Sequence, residues 1–353
     1  MILPGDGKIM LSSWGEAETC VYLMRICRDG AALSCGCCLP PSKGIELFRK
    51  KSTMKIQTEQ AAPERNGCLG PLLPLILGLG GIRGMRRGGT EADDQAWFEI
   101  TRQQLYFTRL TQAFHGYRLV HITDLHVDTL FMSAERLASV VQTINRLKAD
   151  VVVITGDFVQ NYQPDYAGTL AGLGELQAQD GVFGVLGNHD HSAGAEWVRE
   201  CLKAAHVQEL NYATHTIQRG AELLHMVGLD DLWPANHGEP ADVWTHLPRL
   251  EQLTASLPEE GAAILLVHEP DIADVAASTG RFDLQLSGHS HGNQVRIPFY
   301  GQLSSLLPPL ARQYPRGLYR VEQMSLYTNR GLGTPIRFHN SPEIAVIDLY
   351  PLQ

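Results

Sequence analysis

Cysteine is nearly absent from the body of this 353-residue chain: six of the seven (Cys20, Cys27, Cys35, Cys37, Cys38 and Cys68) precede residue 70, and only Cys201 follows. A disulfide framework is thereby excluded for the body, which fits a reducing compartment, although so cysteine-poor a body would also survive export. Long apolar runs are missing as well. None reaches the roughly 18–20 residues that span a bilayer, and the nearest, Leu69 to Ile82, is broken by Pro71, Pro74 and several glycines. Its basic flanks, Arg65 before and Arg83, Arg86 and Arg87 after, fit a degenerate signal or interfacial anchor, whereas its Gly/Pro content reads more simply as a linker. A twin-arginine signal is excluded, because Gly-Gly-Thr-Glu-Ala-Asp-Asp, not an apolar run, follows Arg86-Arg87. An excess of positive charge is the third absence. With 29 Lys+Arg against 38 Asp+Glu and a net charge of −9, nucleic-acid binding is not expected.

What remains is a chain with 44% hydrophobic residues, enough for a substantial core. Residues 1–92 carry 12 basic and 8 acidic side chains, residues 93–353 carry 17 and 30, so metal-binding carboxylates are to be sought in the second part. The first part shows no sustained period, and its cysteines lack zinc-knuckle spacing. It is expected to be a poorly ordered or over-extended N-terminal region, since Met54 and Met85 both precede the organised body at 93–353. From about Trp97, short apolar runs alternate with helical patterns. Tyr117–Thr123, Val151–Thr155 and Val182–Leu186 read as strands, as do Leu223–Val227, Ile264–Val267 and Leu284–Leu286. Ser133–Leu147 reads as a helix with Ser133 as N-cap and Leu137, Val140, Val141 and Ile144 on one face. Further helices are predicted at Tyr166–Ala178, Glu196–Ala205, Val243–Leu257 and Ile272–Ser278. The strand, helix, strand order implies parallel pairing and an α/β fold.

Each apolar run ends in a polar residue that can hold a metal. After YRLVHIT comes Asp124-Leu125-His126; after VVVIT, Gly156-Asp157; after VFGVL, Gly187-Asn188-His189-Asp190; after ILLV, His268; after LQLS, Gly288-His289-Ser290-His291. Residues at strand ends converge on one edge of a sheet. Oxygen and imidazole donors without thiolate suit Mn, Fe or Zn. Seven side chains, Asp124, His126, Asp157, Asn188, His268, His289 and His291, exceed what one open catalytic ion takes, and match two ions sharing a carboxylate. Two ions about 3.5–4 Å apart can hold a bridging hydroxide and neutralise the phosphate it attacks, so hydrolysis of a phosphate ester or anhydride is the chemistry expected.

These five motifs, in this order, resemble the signature of the calcineurin-like metallophosphoesterases over roughly Trp97 to the C-terminus. The resemblance implies a four-layer α/β/β/α sandwich of two mixed sheets. It implies two divalent cations (Mn2+, Fe2+/Fe3+ or Zn2+), with Asp124, His126 and His291 on the first, Asn188, His268 and His289 on the second, and Asp157 between them. It also implies catalytic roles for His189, facing the substrate, and Asp190, orienting His189. The tail, from Gly288 through Gly317-Leu-Tyr-Arg, Tyr327–Gly333, Pro335-Ile-Arg-Phe and Pro342-Glu-Ile, is similar to a bacterial branch that includes membrane-associated UDP-2,3-diacylglucosamine pyrophosphohydrolases and broad phosphodiesterases. Two positions depart from the pattern: Asn293 stands where a second glycine is usual, and Glu269 follows His268 where a small or amide residue is common.

The expected substrate is therefore a phosphodiester or pyrophosphate, with a lipid-linked one held open, on a cytoplasmic protein with peripheral contact at the inner membrane also open. The alternatives are a soluble, broad phosphodiesterase or phosphatase, and a non-catalytic phosphate-binding scaffold. Arg296 and Arg330 are candidates for a guanidinium clamp on the phosphate, against surface ion pairs as the plainer reading. Leu303–Leu310, after Pro298-Phe299-Tyr300, reads equally as a lipid-facing rim or a buried loop. His121 is expected to pack in a strand and His191 to be a solvated neighbour of the site. Asp128 and Asn161 are expected to be turn formers.

Overall fold

A computed structural model of the chain describes residues 97–232, 242–293, 308–334, 337 and 340–352, and the backbone of 296–297 and 301–302. The N-terminal region 1–92 with its 69–82 segment, residues 298–300 and 303–307, and the Arg296 side chain lie outside the described residues.

In chain order the strands are β1 (Glu99–Phe107), β2 (Tyr117–Ile122), β3 (Val151–Thr155), β4 (Val182–Val185), β5 (Gln208–Glu209), β6 (Thr214–Arg219), β7 (Glu222–Gly228), β8 (Ala262–Leu266), β9 (Leu284–Ser287), β10 (Arg296–Ile297), β11 (Gly301–Gln302), β12 (Gly317–Val321), β13 (Met324–Thr328) and β14 (Glu343–Pro351). One six-stranded sheet has the order β1-β14-β2-β3-β4-β5, a second has β12-β13-β9-β8-β7-β6, and β10-β11 is a small ribbon. Both large sheets are mixed. The first is antiparallel only between β14 and β2; the second only at its outer pairs, β12 with β13 and β6 with β7.

Strand β3 shows why four layers are needed. All five of its residues are buried, and successive side chains point to opposite faces, so both faces must be covered. Val151 and Val153 join a cluster between the sheets that includes Leu119, Phe183, Leu266, Leu286 and Ile347. Val152 and Ile154 face the other way, into a cluster with Leu137, Val140 and Ile144 of α1 (Ala134–Leu147). A third cluster joins Ala263, Leu265 and Leu326 of the second sheet to Leu250 of α4 (Leu247–Ala255) and Val275 of α5 (Ala273–Ser278). The sandwich expected from the sequence is thus present: helices, sheet, sheet, helices.

Helix α1 forms as read. Ser133 is its N-cap, Glu135 lies in the first turn and Arg146 in the last, matching the helix dipole, and the apolar stripe is buried. Other boundaries differ. Tyr166–Ala178 resolves into α2 (Tyr166–Leu170) and a 3-10 stretch, Ala171–Glu175; Gly172 and Gly174 weaken its helix propensity. Helix α3 (Asn188–Ala204) starts eight residues before the predicted Glu196 and passes through non-helical Gly194 (φ 110°, ψ 93°). That break hid the first turn from a periodicity argument. Strands β1 and β14, which pair in parallel along their full length, were not predicted. β1 is an edge strand whose alternation is blurred by Arg102, Gln103 and Gln104.

Leu119, fully buried between the sheets, and Leu130, 92% exposed, provide the contrast that tests this layering. Leu119→Ala is expected to cost about 2–5 kcal/mol in urea unfolding. Leu130→Ala is expected to stay within about 0.5 kcal/mol of the parent.

Candidate metal centre

The five predicted motifs follow five strands directly. Asp124 lies two residues after β2, Asp157 two after β3 and Asn188 three after β4, all in the first sheet; His268 and His289 lie two after β8 and β9 of the second. Strands anchored on both faces therefore deliver side chains from both sheets to one edge. The turns that follow are strained. Asp124 (φ 49°), His126 (φ 44°), Asp157 (φ 55°), His289 (φ 66°) and His291 (φ 49°) all have left-handed backbone. Each such residue costs of order 1–3 kcal/mol, a cost glycine would relieve, but glycine has no side chain to place there. Glycine appears instead where space is lacking: a Cβ at Gly187 would meet the Asp157 amide nitrogen at 2.7 Å and the His268 ring at 2.9 Å.

Asp157 lies centrally. Its Oδ1 accepts the His189 backbone N–H at 2.9 Å, and its Oδ2 lies 3.4 Å from His126 Nε2 and 3.3 Å from His268 Nε2. Asp124 Oδ1 lies 3.6 Å from His291 Nε2 and 3.8 Å from His126 Nε2, and both Asp124 oxygens accept the His289 N–H. His126 and His291 bring their Nε2 atoms within 3.2 Å of each other. Three overlapping groups, Asp124 with His126 and His291, His126 with Asp157 and His189, and Asp124 with Asp157 and His268, each gather their ligand atoms within 4.8 Å. His289 joins through His268, with Nδ1 3.1 Å from His268 Nε2. Asn188 Oδ1 is buried without a hydrogen-bond partner among the described residues.

Contacts behind the rings define which nitrogen faces inward. His268 Nδ1 donates to the Thr155 carbonyl at 2.7 Å and His289 Nε2 to the Pro309 carbonyl at 2.8 Å, because a carbonyl can only accept. In each neutral ring the inward nitrogen is then an acceptor, and two acceptors 3.1 Å apart call for a positive charge between them, a proton on His268 or a metal ion. That demand, the orphaned Asn188 oxygen and an all-oxygen-and-imidazole donor set fit divalent metal.

The electrostatics agree. Burial works against the Asp157 carboxylate, but the His268 and His126 imidazoles outweigh it and hold its pKa well below the usual range. Asp124 is lowered too, with His291 the largest influence opposing burial. Burial disfavours a charged His268, yet Asp157 and Asp124 raise its pKa well above that of a free imidazole. Burial instead prevails at His289, lowered to about 4, and at His291, lowered to about 3. The two carboxylates keep their charge and draw positive charge to themselves.

Not every expectation holds. The Asp190 carboxylate does not reach the His189 ring. It accepts the backbone N–H groups of Gly187 (3.0 Å) and Val159 (3.2 Å), tying the β4–α3 turn to the loop after β3. The ring of His189 is oriented by the Gln160 carbonyl, 2.9 Å from Nδ1. Arg330 is no free clamp, since its guanidinium binds Glu343 at 3.0 Å and Glu99 at 2.9 Å. His191 is partly buried and paired with Asp230 at 2.8 Å rather than solvated. Asp128 caps its turn by accepting from Leu130, Phe131 and Met132, and Asn161 lies exposed in a bend. His121 is buried, 2.8 Å from Thr155 Oγ1. Asn293 has φ 61°, a left-handed conformation that asparagine tolerates better than most residues, so its replacing a glycine has a local reason. Glu269 is fully buried and accepts the Leu232 N–H; burial, then Asp231, push its pKa well above the usual range. Sequence reasoning missed Pro309, Gln160 and Thr334. The first two act through main-chain oxygens that any residue supplies, and Thr334 lies between quoted motifs.

The calcineurin-like phosphoesterase family matches residues 117–293, which begin at β2 and end just past the last histidine pair. The chain is a calcineurin-like phosphoesterase. It is 34% identical over 260 residues to the metallophosphoesterase YkuE of Bacillus subtilis, covering 71% of this chain and 85% of that one. It is 27% identical over 266 residues to the phosphodiesterase YaeI of Escherichia coli (72% and 90%). It is also 27% identical over 304 residues to the UDP-2,3-diacylglucosamine pyrophosphatase LpxG of Chlamydia muridarum (70% and 88%). A solved 5′-nucleotidase precursor from Thermus thermophilus aligns at 16% identity and a TM-score of 0.39, over 61% of this chain, which spans about half of that protein's length (48%). As a calcineurin-like phosphoesterase the protein is a metal-dependent phosphoric ester hydrolase.

Gly187→Ala tests how tightly the centre is built. The added methyl is expected to destabilise this phosphoesterase by about 1–3 kcal/mol in thermal unfolding and to lower its metal content measured by elemental analysis.

Proposed function

We propose that this phosphoesterase hydrolyses a phosphodiester or pyrophosphate at a two-metal centre held by Asp124, His126 and His291 on one side, Asn188, His268 and His289 on the other, and Asp157 between. The observation that carries this reading is Asp157 Oδ2, set between His126 and His268 at nearly equal distance, 3.4 and 3.3 Å. Two divalent ions, with Mn2+ the first to try, supply Lewis acidity toward the phosphate and lower the pKa of water when bound. The chain's own residues hold the remaining parts. With Nδ1–H on the Gln160 carbonyl, a neutral His189 has its acceptor at Nε2, and a protonated His189 has a donor there for the departing oxygen. His189 is partly exposed and stacks edge-on against His126 (4.7 Å), so it lies beside the centre on the side open to solvent. Asp190 holds the turn that carries it.

A lipid-linked pyrophosphate substrate with peripheral membrane contact is supported by the likeness to the Chlamydia enzyme, and a broader phosphodiesterase by that to the Escherichia coli protein. Among the described residues no helix is long and apolar enough to cross a membrane. Release of UMP from a UDP-diacylglucosamine, with co-sedimentation on anionic liposomes, supports the first; turnover of bis-p-nitrophenyl phosphate without liposome binding supports the second. A catalytically inert scaffold is disfavoured because no candidate ligand is missing from the sequence.

Asp157→Ala is expected to abolish loading of two metals per chain, measured by elemental analysis after Mn2+ addition. His189→Ala is expected to retain both and to lose about 10²–10⁴-fold in kcat on bis-p-nitrophenyl phosphate. Wild-type rates in His189→Ala would remove the histidine from the mechanism.

A further inference from the structure

Thr334 and Arg337 play no part in the chemistry above, yet they approach the centre from behind His291. The Arg337 guanidinium is partly buried, and no carboxylate among the described residues lies within ion-pairing distance of it. Its donors go to the carbonyls of Arg330 (2.8 Å), Gly331 (3.0 Å) and Thr334 (3.3 Å), and Nη2 reaches Thr334 Oγ1 at 3.2 Å. A charged group partly withdrawn from water, with no direct ion pair among the described residues, is costly unless its donors are placed, so the loop 330–334 is wrapped around a rigid fork. The same loop is fastened to Asp124: Gly333 N–H donates to the Asp124 carbonyl at 2.7 Å and Leu332 N–H to that of Thr123 at 3.1 Å.

Thr334 Oγ1 lies 2.8 Å from His291 Nδ1. A guanidinium only donates, so the hydroxyl accepts from Arg337, which holds the oxygen in place beside the ring and occupies one of its two lone pairs. With His291 read as a ligand through Nε2, its proton lies on Nδ1 and the hydroxyl's second lone pair accepts it. That tautomer turns an unprotonated Nε2 toward Asp124 and His126, 3.6 and 3.2 Å away. His268 and His289 use carbonyls for this purpose; His291 has a hydroxyl, whose oxygen the guanidinium keeps within reach of Nδ1.

We propose that Arg337 and Thr334 are a positioning pair for His291, the guanidinium fixing the threonine hydroxyl and the hydroxyl fixing the ring with Nε2 presented to metal. This rests on the reading of His291 as a ligand. The test is calorimetric titration of chelator-stripped protein with Mn2+, following the two binding steps separately for wild type, Thr334→Val, Thr334→Ser, Arg337→Lys and, as reference, His291→Ala. Thr334→Val and Arg337→Lys are expected to weaken one step by about 10–100-fold, the range for such outer contacts, and to leave the other near wild type. Thr334→Ser, which keeps the hydroxyl, is expected to restore it. The unaffected step shows that the variant is folded. Wild-type binding in Thr334→Val, with one step lost in His291→Ala, would overturn the positioning pair alone; two intact steps in His291→Ala would overturn the ligand reading beneath it.

Discussion

Two carboxylates withdrawn from water, Asp124 at 0% and Asp157 at 1% exposure, set the terms for everything around them. An uncompensated buried charge costs several kcal/mol even after relaxation, so a fold that keeps two of them within reach of the same imidazoles must supply positive charge at that spot. The chain does so only in part. Backbone N–H groups of His189 and His289 reach the two carboxylates, and four imidazoles surround them, but two of those imidazoles turn acceptor nitrogens toward each other. Protons on His126 and His268, whose pKa values the two carboxylates raise, supply compensating charge in the metal-free protein, and bound metal would replace them. Divalent cations would satisfy carboxylates and acceptor nitrogens together, and the need to bring acids and imidazoles from separate strands to one place explains why both sheets end at the same edge.

The backbone strain follows from the same constraint. A side chain that must point back into the centre from the residue just past a strand end requires a sharp reversal, and five of the seven candidate ligands make it in the left-handed region. Strain of that kind persists only where the surroundings over-determine it. Here the determination comes from strands such as β3 and β8, buried along their whole length between two layers. The inter-sheet core is thus what allows the turns beyond it to stay strained.

Much of this was legible in the sequence, for identifiable reasons. Strands buried on both faces are continuous apolar runs, and VVVIT and ILLV stand out as such, the second falling two residues late on a strand that starts at Ala262; the stripe on α1 and its serine cap are equally plain. The ligand candidates were legible because their chemistry is in their side chains and their places are fixed by the strands before them. What was not legible has the opposite character. β1 and β14 owe their pairing to a contact across most of the chain, and Gly194 disguised the first turn of α3. The resemblance implied that Asp190 orients His189, whereas its oxygens take backbone N–H groups on both flanks of the turn. Main-chain oxygens, which orient His189, His268 and His289, have no signature in any alphabet of side chains.

The adjacency of Asn188 and His189 has a physical sense that the motif alone does not convey. They occupy the first two positions of α3, where successive side chains diverge by about 100° around the helix axis. One can therefore aim into the centre while the next points aside, toward the open face. Asp157 couples them to the rest: its Oδ2 lies between the inward imidazoles, and its Oδ1 holds the backbone N–H of His189. On the proposed reading, one carboxylate would thus help hold the metals while also fixing, through Oδ1, the backbone of the acid–base residue. The placement of His189 relative to the inward imidazoles is then set by Asp157, by the first turn of α3 and by the Gln160 carbonyl that orients the ring. Such an arrangement places the chemistry on strand ends and leaves selectivity to the segments beyond them, the division of labour expected of loops carried on a rigid scaffold.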